Sequence, residues 1–402
     1  MSTRGEAPPL DFRGVMLTGL APDGGLYVPE TIPPLPNGWE DWSYRQAVTA
    51  VLSTFGAEEV GPIVIRAAAR FSAEEVAPVV PVGDRFVFEL FWGPTLSFKD
   101  HALQILGGLL DRDVERPSTI LGATSGDTGS AAIEACRGRP QLRVVVLYPE
   151  GLVSEFQRLQ MTTVEDENVT VAAVKGNFDD CQALVKGALR RHEGLLAFNS
   201  INWARVAAQT GYYVFLAGQM RGPFDVVVPT GNFGNILSCW VAKQMGAPIE
   251  AMTIANNANR GLSNLVNVGS MGDEEVIPTL APAMDVTVPS NLERFTGNPA
   301  DAFVAGYAED DEILETIAAV DREHGYVLDP HTAAAWHVGA AFRGDLPQVV
   351  VGTAHPAKFA DAVHRALGRP PETPPGFEDL SDRLERVTLI DADPSALDTL
   401  IR

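Results

Sequence analysis

Three times in this chain of 402 residues a short apolar run leads into a glycine- or threonine-bearing turn and then into a helical stretch. The units are STILGATSGDTGSAAIEACRG, followed by the new apolar run RVVVLYP; DVVVPTGNFGNILSCWVAKQMG, followed by IEAMTIAN; and QVVVGTAHPAKFADAVHRALG. Continuous rather than alternating apolar runs describe strands buried on both faces, and their alternation with helices describes a parallel sheet covered on each side. The fold class is therefore α/β. In open parallel sheets ligands sit beyond the carboxyl ends of the strands, where all three turns fall, so one ligand served by three turns is the economical expectation. The competing one is that each glycine only shapes a tight turn.

Helical spacing also runs through SYRQAVTAVLSTF and EEVGPIVIRAAARF, after a punctuated opening in which APDGGLYVPETIPPLPNGW favours turns and extended chain. The expected organisation is an N-terminal lead-in (1–85), a smaller α/β domain carrying a lysine segment (86–215) and a larger α/β domain (216–402). Acidic residues exceed basic ones by 22, which excludes a phosphate-backbone-binding surface and requires any anionic ligand to be held by local, fixed donors. Cys136, Cys181 and Cys239 form no Cys-x-x-Cys pair, so neither a disulfide framework nor a metal cluster is expected. With no apolar leader and no membrane-length apolar segment, the sequence reads as a cytoplasmic protein without nucleic-acid or membrane partners.

TSGDTGS (124–130) places four hydroxyls and two glycines at the mouth of a helix, where unpaired N–H groups and the helix dipole favour a carboxylate or phosphate. Asp127 within it is either an N-cap or a group reaching a ligand's hydroxyl or ring. PTGNFGN (229–235) repeats the design with Gly231, Gly234, Asn232 and Asn235, a candidate phosphate cup. Neither turn has dinucleotide-binding or Walker spacing. In GTAHPAKF, Thr353 offers a neutral hydrogen-bond partner, while His355 reads as a turn residue and Lys358 as solvated. A lysine in the apolar stretch ELFWGPTLSFKDHALQ, Lys99, is either snorkelling or a nucleophile for Schiff-base chemistry. Pyridoxal 5'-phosphate, with an aldehyde, one phosphate and a ring nitrogen, matches the second option.

In order and spacing, WGPTLSFKD, ATSGDTGSAA, VPTGNFGNI and GTAHPAKF resemble the threonine synthases, members of the tryptophan-synthase-β-like, fold type II group of pyridoxal-phosphate enzymes. STRG, LAPDGGLYVPE, KGNFDDCQ, NSINWARV and VPSNLERF extend the resemblance almost end to end. It implies two parallel-sheet α/β domains. It also implies that Lys99, preceded by Phe98, bonds the cofactor and then shuttles protons. Gly231, Asn232, Phe233, Gly234 and Asn235 would bind the cofactor phosphate, and Thr353 would face the pyridine nitrogen. Thr124, Ser125, Gly126 and Thr128 would grip the substrate carboxylate, with Asp127 near the cofactor's phenolic oxygen. Arg205 and Arg294, with Ser154 and Asn202, are the candidates for the substrate's phosphate.

The implied reaction turns O-phospho-L-homoserine and water into L-threonine and phosphate, on a monomer or homodimer. One stretch departs from the family pattern: NNANRGLSNLVNVGSMGDEE (256–275) has Arg260 as its only basic residue. A phospho-lyase releasing 2-oxobutyrate, ammonia and phosphate from O-phosphohomoserine or O-phosphothreonine is therefore the alternative, ahead of a non-catalytic sensor or a nucleotide-binding protein.

Overall fold

The computed structural model describes residues 1–192, 194–198, 200–273 and 275–401. Its strands are β1 (Val79–Val82), β2 (Arg85–Glu89), β3 (Ser118–Ala123), β4 (Leu142–Pro149), β5 (Val169–Lys175), β6 (Leu195–Leu196), β7 (Phe224–Pro229), β8 (Ile249–Asn256), β9 (Val304–Tyr307), β10 (Gln348–Gly352) and β11 (Thr388–Asp391). They form two sheets, ordered β1-β2-β10-β7-β8-β9 and β11-β5-β4-β3-β6. All pairings are parallel except the edge hairpin of β1 with β2. The three Val-rich runs become β4, β7 and β10, every residue of β7 and β10 buried, as strands covered on both faces must be.

Sheet membership does not follow the chain linearly. β2, just ahead of the lysine segment, pairs with β10 in the larger sheet, Phe88 opposite Val351 and Glu89 opposite Gly352. Conversely β11, near the carboxyl end, returns to the smaller sheet beside β5. Cuts at 85/86 and 215/216 would thus separate strands that share hydrogen bonds. The lead-in docks through helices Tyr44–Thr54 and Gly61–Ala68, close to the spans read from periodicity.

At the centre runs the helix Trp203–Met220, apolar on almost its whole circumference and buried from Trp203 to Gly218. It packs on helices Tyr44–Thr54, Lys99–Asp113 and Gly234–Gln244. Its N-terminal turn, carrying Arg205, thereby lies next to the glycine turn after β7. Cys136, Cys181 and Cys239 are free and buried.

Candidate active site

Local chemistry shapes the turn before Lys99. Asp100 accepts hydrogen bonds from the Thr95 amide at 2.8 Å and hydroxyl at 2.9 Å, and a Cβ on Gly93 would lie 2.5 Å from the Asp100 side chain. Leu96 sits at φ +60°, a conformation that costs a side-chain-bearing residue about 1 kcal/mol or more. The turn is held there from outside: the Leu96 carbonyl accepts from the His355 amide at 3.0 Å, Ser97 bridges Ala354, and the Phe98 amide donates to the Thr353 carbonyl at 2.9 Å. Lys99 and Thr353 are thus fixed to one another through the backbone. Lys99 opens the helix Lys99–Asp113, 9% exposed, its Nζ 4.9 Å from the centre of the Phe98 ring.

The TSGDTGS turn approaches Lys99 from the smaller sheet. Thr124 Oγ1 accepts from the amides of Gly126 and Gly129 at 2.9 and 2.8 Å, curling the loop onto itself. Gly126 is required: its φ is +135°, and a Cβ there would fall 2.3 Å from Gln157. Asp127 is the first helical residue, not a cap. One carboxylate oxygen stands 3.2 Å from Lys99 Nζ; the other stands 3.2 Å from Lys358 Nζ and accepts from Gln157 Nε2 at 2.9 Å. Burial would raise its pKa, but the Lys99 and Lys358 ammoniums outweigh that and hold it well below the usual carboxylate range. Ser125 is exposed, whereas Thr128 is half-buried and lines a cavity with Lys99.

The same cavity is bounded by Gly231, Asn232, Phe233, Gly234 and Asn235, and by Phe98, Thr353 and Arg205. Phe233 precedes the helix Gly234–Gln244 in the left-handed region, φ +63°, and no side chain caps that N-terminus. A Cβ on Gly231 would stand 2.3 Å from the Ala283 carbonyl oxygen. Asn235 Oδ1 accepts from the hydroxyls of Tyr212 and Tyr213 at 2.6 and 2.8 Å, while its buried Nδ2 has no partner among the described residues. Nor do Nε and one terminal nitrogen of Arg205, whose pKa burial pushes down to about 10. Unsatisfied donors beside an uncapped helix N-terminus are the donor set an anion fills. With a buried amine and a neutral hydroxyl on the same cavity, the residues present fit pyridoxal phosphate.

Three sequence candidates are engaged in the framework. Ser154 caps the helix Glu155–Thr162 and donates to the Lys358 carbonyl at 2.9 Å. Asn202 caps the helix Trp203–Met220 and donates to the Met16 carbonyl at 2.8 Å. Arg294 spends its donors on the Tyr27 and Ile201 carbonyls and Asn291 Oδ1. None of the three lines the cavity.

The divergent segment is likewise structural where described: Asn256 donates to the Thr230 carbonyl, Asn257 to Asp285, and Arg260 lies over the Tyr307 ring at 4.8 Å. Asn199, which opens NSINWARV, falls outside the described residues.

Sequence reasoning missed His331 and misread Lys358. His331 lines the cavity, its Nδ1 2.8 Å from Asp329 and its Nε2 accepting from the Ala283 amide at 3.2 Å. Its signal was the helix start DPH, where Asp329 caps. Lys358, read as solvated, is 0% exposed, because the turn after β10 folds inward beneath Thr95. His355 is the turn residue expected, its Nδ1 accepting from the Ala357 amide.

Comparison with known proteins assigns the class first. The family of pyridoxal-phosphate-dependent enzymes matches residues 87–356, and that cofactor is the one this fold carries. The threonine synthase N-terminal and C-terminal families match residues 1–69 and 332–401. The threonine synthase of Pseudomonas aeruginosa is 39% identical, the alignment covering 97% of this chain and 95% of that protein. The threonine synthase of Saccharomyces cerevisiae is 36% identical, with 91% and 88% covered. Among solved structures, the PLP-bound threonine synthase from Brucella melitensis superposes with a TM-score of 0.95 at 38% identity, covering 100% of this chain and 98% of that one. The chain belongs to the threonine synthase family of pyridoxal-phosphate-dependent lyases.

Proposed function

We propose that this chain converts O-phospho-L-homoserine and water into L-threonine and phosphate. The observation that carries the reading is one cavity lined by Lys99, Thr353 and the glycine turn 231–235, in a chain matching threonine synthases from end to end. Bound there, pyridoxal phosphate supplies an electron sink that acidifies the α and β C–H bonds of an attached amino acid and so allows a γ-substituent to leave.

This chain's residues do the rest. Lys99 anchors the cofactor in the resting enzyme and, once free, takes the α-proton and then a β-proton. Asp127, 3.2 Å from its Nζ, stabilises the ammonium formed at each transfer. Thr353, on the same cavity, would offer the cofactor's ring a neutral hydroxyl rather than a carboxylate, which would moderate the sink. Gly231 to Asn235 would hold the cofactor phosphate on the helix N-terminus, and Arg205, on the same cavity, adds a positive charge for the phosphates bound there. The turn from Thr124 to Thr128 receives the substrate carboxylate.

Supplying O-phosphohomoserine and measuring threonine and phosphate together tests this: equal amounts are expected. Phosphate with 2-oxobutyrate and no threonine would establish the phospho-lyase reading instead. We place the activity in the cytoplasm, on a monomer or homodimer, without nucleic-acid or membrane partners. The strong negative charge supports this, as does the lack, among the described residues, of a helix long and apolar enough to cross a membrane.

A further inference from the structure

We infer that Lys358 is a positioning residue of the reaction: a fully buried ammonium that fixes the Asp127 carboxylate so that its second oxygen is presented to Lys99. The inference rests on the role of Lys99 proposed above. Nothing in the chemistry of the cofactor calls for a second lysine at this place, yet the structure spends three contacts on one. Lys358 Nζ donates to the Thr95 carbonyl at 2.6 Å and to Gln160 Oε1 at 2.7 Å, and stands 3.2 Å from Asp127 Oδ1. Two hydrogen bonds and one ion pair, made to three fixed groups, leave the ammonium little freedom to turn away.

Those acceptors come from different parts of the chain: Thr95 from the turn that aims Lys99, Gln160 from the helix Glu155–Thr162, Asp127 from the smaller sheet's anion turn. An ammonium with no access to water persists only where such partners replace its hydration. Gln157 holds the same Asp127 oxygen at 2.9 Å, so Lys358 and Gln157 claim Oδ1 while Oδ2 is left for Lys99.

Burial pulls the pKa of Lys358 below its ordinary value, while Asp127 and Asp100 favour its charge and Lys99 opposes it. His355, on its own turn, is kept neutral by burial, and His331, on the helix Pro330–Ala340, has its two ring nitrogens engaged by Asp329 and the Ala283 amide. With Lys358 in place, Asp127 is shared between two lysines, Oδ1 facing Lys358 and Oδ2 facing Lys99.

The test compares wild-type holoenzyme with Lys358→Met, Asp127→Asn and the double variant. Thermal unfolding, read from the folded protein whatever its substrate, is expected to show coupling: Lys358→Met lowers Tm, and adding Asp127→Asn restores part of the loss because the stranded carboxylate is gone. In the assay with O-phosphohomoserine, kcat of Lys358→Met is expected to fall by about 10- to 100-fold with KM changed by less than about 3-fold, since a carboxylate no longer held in place costs proton transfer at Lys99 rather than substrate binding.

Additive Tm losses would overturn the inference, and so would coupling with an unchanged kcat, which would leave only a structural ion pair. Should Lys358→Met fail to accumulate as soluble protein, recovery by Asp127→Asn supports the inference and failure to recover overturns it. Threonine missing among the products of the wild-type enzyme would count against the synthase reading and leave the coupling measurement intact.

Discussion

The amide of Phe98 donates to the carbonyl of Thr353 at 2.9 Å, tying the turn that leads into Lys99 to the turn after β10. Because the tie runs through main-chain atoms, side chains at 353 can be exchanged without releasing Lys99. Thr353→Val should therefore fold and retain bound cofactor, while kcat falls by about 10- to 100-fold through loss of one buried hydrogen bond. A cofactor absorption spectrum beside steady-state rates checks both halves.

On the proposed reaction, Lys99→Ala removes both the anchor and the proton carrier. Turnover should drop by at least about 10³-fold, and borohydride treatment followed by peptide mapping should place no pyridoxyl mass on this segment. Activity near wild type would falsify the assignment of Lys99.

Close approach, not flexibility, explains Gly231: a methyl group there would meet the Ala283 carbonyl oxygen at 2.3 Å. Gly231→Ala must shift the cup, so its dissociation constant for pyridoxal phosphate should rise by about 10-fold or more, with a stability loss of about 1–3 kcal/mol. Equilibrium dialysis and thermal unfolding report the two separately.

Two buried arginines should behave oppositely. Arg205 keeps unpaired nitrogens on the cavity, so Arg205→Met should leave the cofactor-free protein as stable or up to about 1–4 kcal/mol more stable, while weakening cofactor binding. Arg294 ties Tyr27, Ile201 and Asn291 together, so Arg294→Met should cost about 3–5 kcal/mol. Denaturant titrations of both variants with and without cofactor would expose a reversed order.

Acid sensitivity should arise from a buried histidine. His101 receives a hydrogen bond from the Tyr44 hydroxyl at 2.7 Å and donates from its other nitrogen toward the Leu90 carbonyl at 3.2 Å, an arrangement that requires the neutral ring. Burial pushes its pKa down from 6.5 to about 3. The unfolded chain then takes up the proton first, so this stability is complete above pH 6.5 and drains away as pH falls toward 3. Tm should decline across that window, and His101→Gln, which keeps a donor and an acceptor, should flatten the decline.

The parts legible in the sequence were those governed by local rules. Val-rich runs announced β4, β7 and β10, and glycines announced turns that do converge with Lys99 on one cavity. What stayed hidden depended on partners distant in the chain. Ser154 and Asn202 look like ligand groups until the helices they cap are seen. Lys358 looks like any surface lysine until Thr95 and Gln160 close over it. Likewise β11 carries no mark of the sheet it joins, because edge pairing is decided by packing of the whole fold.

The bond from the Lys358 ammonium to the Thr95 carbonyl also sets a schedule for biosynthesis. At common translation rates, roughly 13–50 s separate the emergence of Lys99 from that of Lys358. Throughout that interval the nascent chain carries a lysine whose pocket has no far wall. Catalytic competence therefore arrives late, when only the last helices and the edge strand β11 remain to be made.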